Sequence, residues 1–310
     1  MRVLVVGAGS VGVFFASKLS SSAHVSVVAR SDYEALMRQH GVYHIRSCKG
    51  DYDFRPDAVY HDVSEVPEAP DILLCALKVL PGLDPAALCR PVMGKHTALF
   101  LIQNGLGNEK PFQEAFPENE IAGAIAYVGV RRPEPGTVEH LDGGTLAAGP
   151  FPVGKSFSKR MMDFIELFRS SGIPVSIESD ITAKRWYKLL WNASYNPVSV
   201  LGVSADTSVI MSDPDAVALI EAVMSEVVEI AEADGCRVPR EGITQNIEYT
   251  RSFAAYKPST LQDFEAGRPL EIDALLGEPL RIADKYRIRA PHMRTLYALL
   301  KLAARKNSGE

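Results

Sequence analysis

Lys188, Asn192 and Asn196 recur every four residues in the stretch Trp186 to Pro197, Trp-Tyr-Lys-Leu-Leu-Trp-Asn-Ala-Ser-Tyr-Asn-Pro. On a helix each four-residue step drifts by only about 40°, so the three polar side chains line one face. Their neighbours are aromatic and aliphatic. A polar stripe on an otherwise apolar helix needs partners, and a bound polar ligand is one. Asn is a poor residue for mid-helix, so helix stability does not account for two of them. The bland alternative is a solvated face, which more often carries Glu, Lys or Gln. An ammonium in such a stripe can donate a proton to an oxygen that gathers negative charge during a reaction.

A second group sits at the start of the chain. Val3 to Val6 is an unbroken aliphatic run, short enough for one buried strand. Gly7-Ala8-Gly9-Ser10-Val11-Gly12 follows in the spacing G-x-G-x-x-G, and Val13 to Leu19 has helical composition. Strand, glycines and helix in that order turn a weak motif into a useful one: a phosphate-binding turn, with the helix N-terminus offering N–H groups and a positive dipole end to a pyrophosphate. The next strand, His24 to Ala29, ends in Arg30-Ser31, where a cofactor with a free ribose would usually meet Asp or Glu. A cation and a hydroxyl suit a 2′-phosphate, so the expected cofactor is NADPH/NADP+. Asp32 lies past the strand and reads as an early helix residue near an N-cap.

Further candidates stand at strand ends, where ligands of an open parallel sheet collect. Lys78 follows Asp71 to Leu77, with a solvated cation as its alternative reading. Asn104, in Gln103-Asn104-Gly105-Leu106-Gly107, follows the strand Thr97 to Ile102. Its amide can donate and accept, although Asn-Gly is also a strong turn pair. In the stretch Lys257 to Asp273, Ser259 reads as an N-cap, Asp263 as an early-helix carboxylate and Glu271 as capping chemistry. On the residues alone this last patch is more structural than functional.

The elements that must position these residues divide at about Glu178. Before it, strands alternate with helical segments, as in a doubly wound parallel sheet. Val42 to Arg46 and Tyr52 to Arg55 read as a hairpin. Thr137 to His140 and Thr145 to Ala148, split by Asp142-Gly143-Gly144, read as another. Lys155 to Ser170 is amphipathic, with Phe157, Met161, Phe164, Ile165 and Phe168 on one side. After Asp180 long helical patterns take over: Thr182 to Leu201, Asp215 to Asp234, Glu241 to Phe253, Asp273 to Arg287 and Pro291 to Arg305. The expected domains are 1–178, α/β, and 179–310, all helix.

At 310 residues and a net charge of −5, the chain gives no reason to expect a nucleic-acid surface. No apolar run approaches a membrane span, and the four residues between Arg2 and Gly7 are too few for a signal sequence. Four scattered Cys and no metal-type His spacing fit a reduced, cytoplasmic protein with no metal. The apolar surface of the helical half leaves room for a homodimer.

Taken together, the glycine turn, Arg30, Ala76-Leu77-Lys78, Gln103 to Gly107, Trp186 to Leu189 with Asn192 and Asn196-Pro197, and Ser259 to Asp263 with Glu271 to Asp273 resemble the 2-dehydropantoate 2-reductase (ketopantoate reductase) family over essentially the whole chain. The resemblance implies a Rossmann-type domain followed by a helical one, and NADPH-dependent reduction of 2-dehydropantoate to (R)-pantoate in pantothenate and coenzyme A synthesis. By resemblance Lys188 is the general acid. Asn192 and Asn196 hold the hydroxyl and keto oxygens of a small keto acid, and Ser259 holds its carboxylate. Asn104, which also contacts the substrate, and Glu271 lie where the substrate meets the nicotinamide ribose, and Lys78 and Arg30 on the phosphate side. Two departures bear on the substrate. There is no Asn between Pro197 and Gln245, where Asp206 or Thr207 stands instead, and Tyr256 falls where some relatives have an amide. The rival readings are a reductase of another 2-keto or hydroxy acid, and a non-catalytic NADPH-binding regulator.

Overall fold

Alternation within the buried strands builds the first half. In β1 (Arg2–Val6), Val3 and Val5 enter one apolar cluster while Leu4 and Val6 enter another. β6 (Ile72–Cys75) and β7 (Ala98–Leu101) repeat the split, so each strand is apolar on both faces. That is why these runs read as continuously hydrophobic. The structure, a computed structural model, describes residues 1–252 and 255–308. The sequence-predicted helix end at Phe253 and the chain end at Glu310 lie outside the described residues.

The remaining strands are β2 (His24–Val28), β3 (Tyr43–Ser47), β4 (Tyr52–Phe54), β5 (Ala58–Tyr60), β8 (Ile121–Arg131), β9 (Thr137–Phe151) and β10 (Val175–Ile177). The sheet order is β4-β3-β9-β8-β7-β6-β1-β2-β5, with β10 beside β9. The block from β5 to β8 is parallel, as expected. The sheet as a whole is mixed, because β8–β9 and β3–β4 pair antiparallel. The hairpin expected at Asp142-Gly143-Gly144 does not form. Those residues lie inside the single strand β9, where the ladder to β8 shifts register between Tyr127 and Val128 and between Gly129 and Val130. The glycines absorb a bulge rather than turning the chain, because β8 offers a partner on both sides of them, from Glu139 to Phe151 of β9.

Helices α1 (Ser10–Leu19), α2 (Tyr33–Arg38), α3 (Pro85–Cys89), α4 (Glu109–Ala115) and α5 (Lys159–Ser170) accompany the sheet. In α5 the Ser158 hydroxyl accepts the Met161 N–H, so the helix starts four residues later than its composition suggested. Met161, Phe164, Ile165 and Phe168 are all buried, and Phe164 and Phe168 pack on Phe100.

After Glu178 the chain is helical apart from its connections: α6 (Ile181–Leu201), α7 (Thr207–Ser212), α8 (Pro214–Ala233), α9 (Glu241–Ser252), α10 (Ser259–Glu265), α11 (Glu278–Tyr286) and α12 (Pro291–Ser308). α7 has no sequence counterpart, being too short for a periodic signal, and α10 is foreshadowed only by the capping residues around Ser259. The helix expected from Asp273 begins as a π-turn over Asp273–Gly277 and becomes α-helical only at Glu278. Trp186, Leu189, Leu190 and Ala193 of α6 share one core with Ile220, Val223 and Val227 of α8 and Met293 and Leu296 of α12.

The chain forms two compact units. One comprises Met1–Lys78, Leu83–Gln103 and Asn108–Ile181, and the other Val79–Gly82, Asn104–Gly107 and Thr182–Glu310. The segments that leave β6 and β7 therefore belong with the helices. Among the described residues no helix is long and apolar enough to cross a membrane.

Candidate active site

In the sheet unit, the glycine turn has the shape its spacing predicts. Gly7 has φ +104°, and a Cβ there would stand 2.6 Å from the Ala76 carbonyl carbon and the Leu77 nitrogen. A Cβ on Gly12 would meet the Gly7 oxygen at 2.2 Å. Gly9 differs: a Cβ would meet nothing within 4 Å. Packing does not demand glycine there, whereas a ligand approaching the backbone would. Gly9 is also the N-cap of α1, with no side-chain cap and no acidic residue in the first turn. Ala8, Ser10 and Val11 complete a turn whose donors suit a pyrophosphate.

At the end of β2, Arg30 is exposed and Asp32 is buried. Asp32 is the N-cap of α2, as expected, but its carboxylate does not cap the helix. It accepts from Arg132 at 2.5 Å and from the Ser31 hydroxyl at 2.9 Å. Its charge is therefore compensated by Arg132, a partner 100 residues away that no local pattern discloses. Asp62 is a second carboxylate near Arg30, held below the usual carboxylate range mainly by Ser64 and in smaller part by His61 and Arg30. Lys78, half-buried, stands three residues past the end of β6. Gln103 Nε2 donates to the Leu77 carbonyl at 2.9 Å and ties the ends of β6 and β7.

The helical unit gathers most of the other candidates. Lys188 Nζ donates to Asn104 Oδ1 at 3.0 Å. Burial first, then the Arg185 guanidinium, push Lys188 down to about 8 from an ordinary 10.5, with Glu271 pulling the other way. Such an ammonium can release a proton near neutral pH. Asn104 is held by its loop: Gly105 has φ +88°, and a Cβ on it would meet the Ala274 oxygen at 2.5 Å, so the loop lies directly against the π-turn. Glu271 Oε1 accepts the Val79 N–H at 2.8 Å, fixing the segment that follows Lys78.

One turn and two turns further along α6, Asn192 and Asn196 are buried. Asn196 Nδ2 donates to the Asn192 carbonyl at 3.1 Å, and Asn196 Oδ1 accepts the Thr260 N–H at 3.1 Å and the Ser259 hydroxyl at 3.5 Å. Ser259 is thus not the N-cap that the sequence suggested. Pro258 holds that place without a side-chain bond, and α6 supplies the cap through Asn196. Asp206 caps α7, accepting from Ser208 and Val209, and Thr207 exchanges two hydrogen bonds with the Tyr256 backbone. Trp191 stacks on Tyr195 at 5.1 Å and tilts toward Tyr256 at 6.1 Å. Sequence reasoning missed Arg185, although a cation one turn before Lys188 on an apolar helix was the available signal. Among the described residues no group of three or more His, Cys, Asp or Glu could hold a metal ion.

A mixed sheet with a dinucleotide-type turn, followed by helices that carry a lysine against an asparagine, defines a Rossmann-type oxidoreductase with a helical second half. The family model described as ketopantoate reductase PanE/ApbA matches residues 3–153, and its C-terminal counterpart matches residues 180–304. A 2-dehydropantoate 2-reductase of Nostoc sp. is 30% identical, covering 100% of this chain and 97% of its own. The crystal structure of 2-dehydropantoate 2-reductase from Methylococcus capsulatus superimposes with a TM-score of 0.89 at 37% identity, over 99% of this chain and 98% of that one. That from Geobacter metallireducens gives 0.90 at 30% identity, over 98% and 100%. This chain belongs to the ketopantoate reductase PanE/ApbA family.

Proposed function

We propose that this protein reduces 2-dehydropantoate to (R)-pantoate with NADPH, a step of pantothenate and coenzyme A synthesis. The observation that carries the reading is the Lys188–Asn104 pair: a lysine poised near neutrality, beside an amide on the loop that leaves β7. When bound, NADPH supplies the hydride that adds to the 2-keto carbon. Lys188 Nζ gives its proton to the keto oxygen as negative charge gathers there, leaving a neutral amine that solvent reprotonates. Asn104 orients that ammonium through its Oδ1. Asn192 and Asn196 hold the substrate's hydroxyl and keto oxygens, and Ser259 its carboxylate. Residues 1–178 hold the cofactor: Gly7 to Gly12 at the pyrophosphate, Arg30 at the 2′-phosphate and Lys78 on the phosphate side. Glu271, from residues 179–310, meets the nicotinamide ribose. Asp32 does not oppose the phosphate, because Arg132 compensates it. The enzyme works in the cytoplasm, as a homodimer.

The test is loss of NADPH absorbance with 2-dehydropantoate beside a panel of other 2-keto acids, with the product's stereochemistry assigned by chiral chromatography. Turnover of none of them, with NADPH still bound, would leave the regulator reading. Preference within the panel decides between 2-dehydropantoate and another 2-keto acid.

A further inference from the structure

Arg185 is 3% exposed, and its Nη1 donates to the Gly105 carbonyl at 3.3 Å. It stands three residues before Lys188 on α6, whose ammonium reaches the neighbouring Asn104. Two cations one turn apart thus grip two consecutive residues of the same loop. On its other side that loop meets the π-turn, through the Leu106 N–H to the Ala274 carbonyl at 3.4 Å and the glycine-only fit at Gly105. A buried guanidinium is costly, and two like charges a turn apart repel. Leucine would fill this helix position at less cost if packing were its only task.

We propose that Arg185 is a positioning residue for the reaction: anchored on the Gly105 carbonyl, it clamps the 104–107 loop so that Asn104 stays against Lys188. It touches neither substrate nor cofactor and acts through these two residues. Its charge adds a second effect, since it faces Lys188 from the same helix while Glu271 faces it with the opposite sign. Removing Arg185 loosens the amide that orients the acid and makes the acid a weaker proton donor.

This inference rests on the reductase reading, and the experiment separates the two. Arg185→Gln and Arg185→Lys are compared with wild type for kcat, KM for the keto acid, NADPH affinity and the titration midpoint of Lys188, followed by NMR in 13C-lysine-labelled protein. Arg185→Gln is expected to lower kcat about 10–100-fold, to leave NADPH affinity within about twofold, and to raise the Lys188 midpoint. Arg185→Lys keeps the charge but not the planar fork, so the midpoint stays and kcat falls about 3–10-fold. A merely structural arginine would lower Tm and leave both midpoint and kcat of the folded protein alone; wild-type kcat with a wild-type midpoint in folded Arg185→Gln overturns the proposal. If Arg185→Gln does not fold, wild-type kcat in Arg185→Lys overturns it as well. Absence of turnover in wild type itself sinks the reductase reading instead, and the Lys188 midpoint in Arg185→Gln then decides the role of Arg185.

Discussion

Asn196 and Thr260 are joined side chain to backbone: the Asn196 amide oxygen, on α6, accepts the N–H of Thr260, the second residue of α10, at 3.1 Å. The same amide donates to the Asn192 carbonyl, so one buried side chain links the polar stripe of α6 to the segment that carries Ser259. Asn196→Ala removes an acceptor and a donor from a buried site. The expected loss is about 1–3 kcal/mol in stability, read by urea denaturation, together with a raised KM for the keto acid as Ser259 loses its register. Unchanged KM in a folded Asn196→Ala would show that α10 does not depend on this link.

Ser259→Ala separates substrate contact from helix capping. Pro258 is the N-cap and Asn196 supplies the bond, so the Ser259 hydroxyl is not needed to start α10. The expected result is a KM increase larger than the fall in kcat, with Tm nearly unchanged. A drop in Tm with an unaltered KM assigns the hydroxyl to structure alone.

Lys188→Ala should bind NADPH normally and lose on the order of 10²–10⁴ in kcat. The pH dependence follows from the sign of the shift. A general acid works only while protonated, so kcat for reduction should hold below a midpoint of about 8 and fall above it. An unperturbed lysine would keep the rate flat past pH 9. A flat wild-type profile, or near-normal kcat in Lys188→Ala, would assign the acid elsewhere.

Cofactor choice rests on Arg30. Arg30→Asp should weaken NADPH by about 2–4 kcal/mol, losing a charge-assisted bond and adding repulsion, while NADH changes far less. Calorimetric titration of both cofactors reads this directly. Equal losses for the two would mean that Arg30 does not meet the 2′-phosphate.

Glu226 provides a control remote in chemistry. Its Oε1 accepts from the His292 N–H at 2.9 Å and Nδ1 at 2.7 Å, and its Oε2 accepts from the Met293 N–H at 2.9 Å, capping α12 from α8. Glu226→Ala should cost roughly 2–3 kcal/mol of stability and leave kcat of the folded enzyme unchanged. A kcat loss matching that of Lys188→Ala would place α12 in the chemistry.

The sequence by itself determined what depends on neighbours in the chain. The four-residue repeat placed Lys188, Asn192 and Asn196 on one face, because a helix fixes that geometry locally. The glycine spacing determined the turn at Gly7, because its conformational demand is local too. Tertiary structure decided everything that needed a distant partner. Asp142-Gly143-Gly144 became a bulge and not a turn because β8 paired with β9 on both sides of them, from Glu139 to Phe151. Ser259 gave up its capping role because Asn196, 63 residues away, arrived with a better acceptor. Asp32 lost its opposing charge to Arg132, and Arg185 acquired a purpose only when the Gly105 carbonyl came within reach. Local patterns carry backbone geometry. Which charge or amide compensates which is settled only when folding brings residues far apart in sequence within about 3 Å of each other.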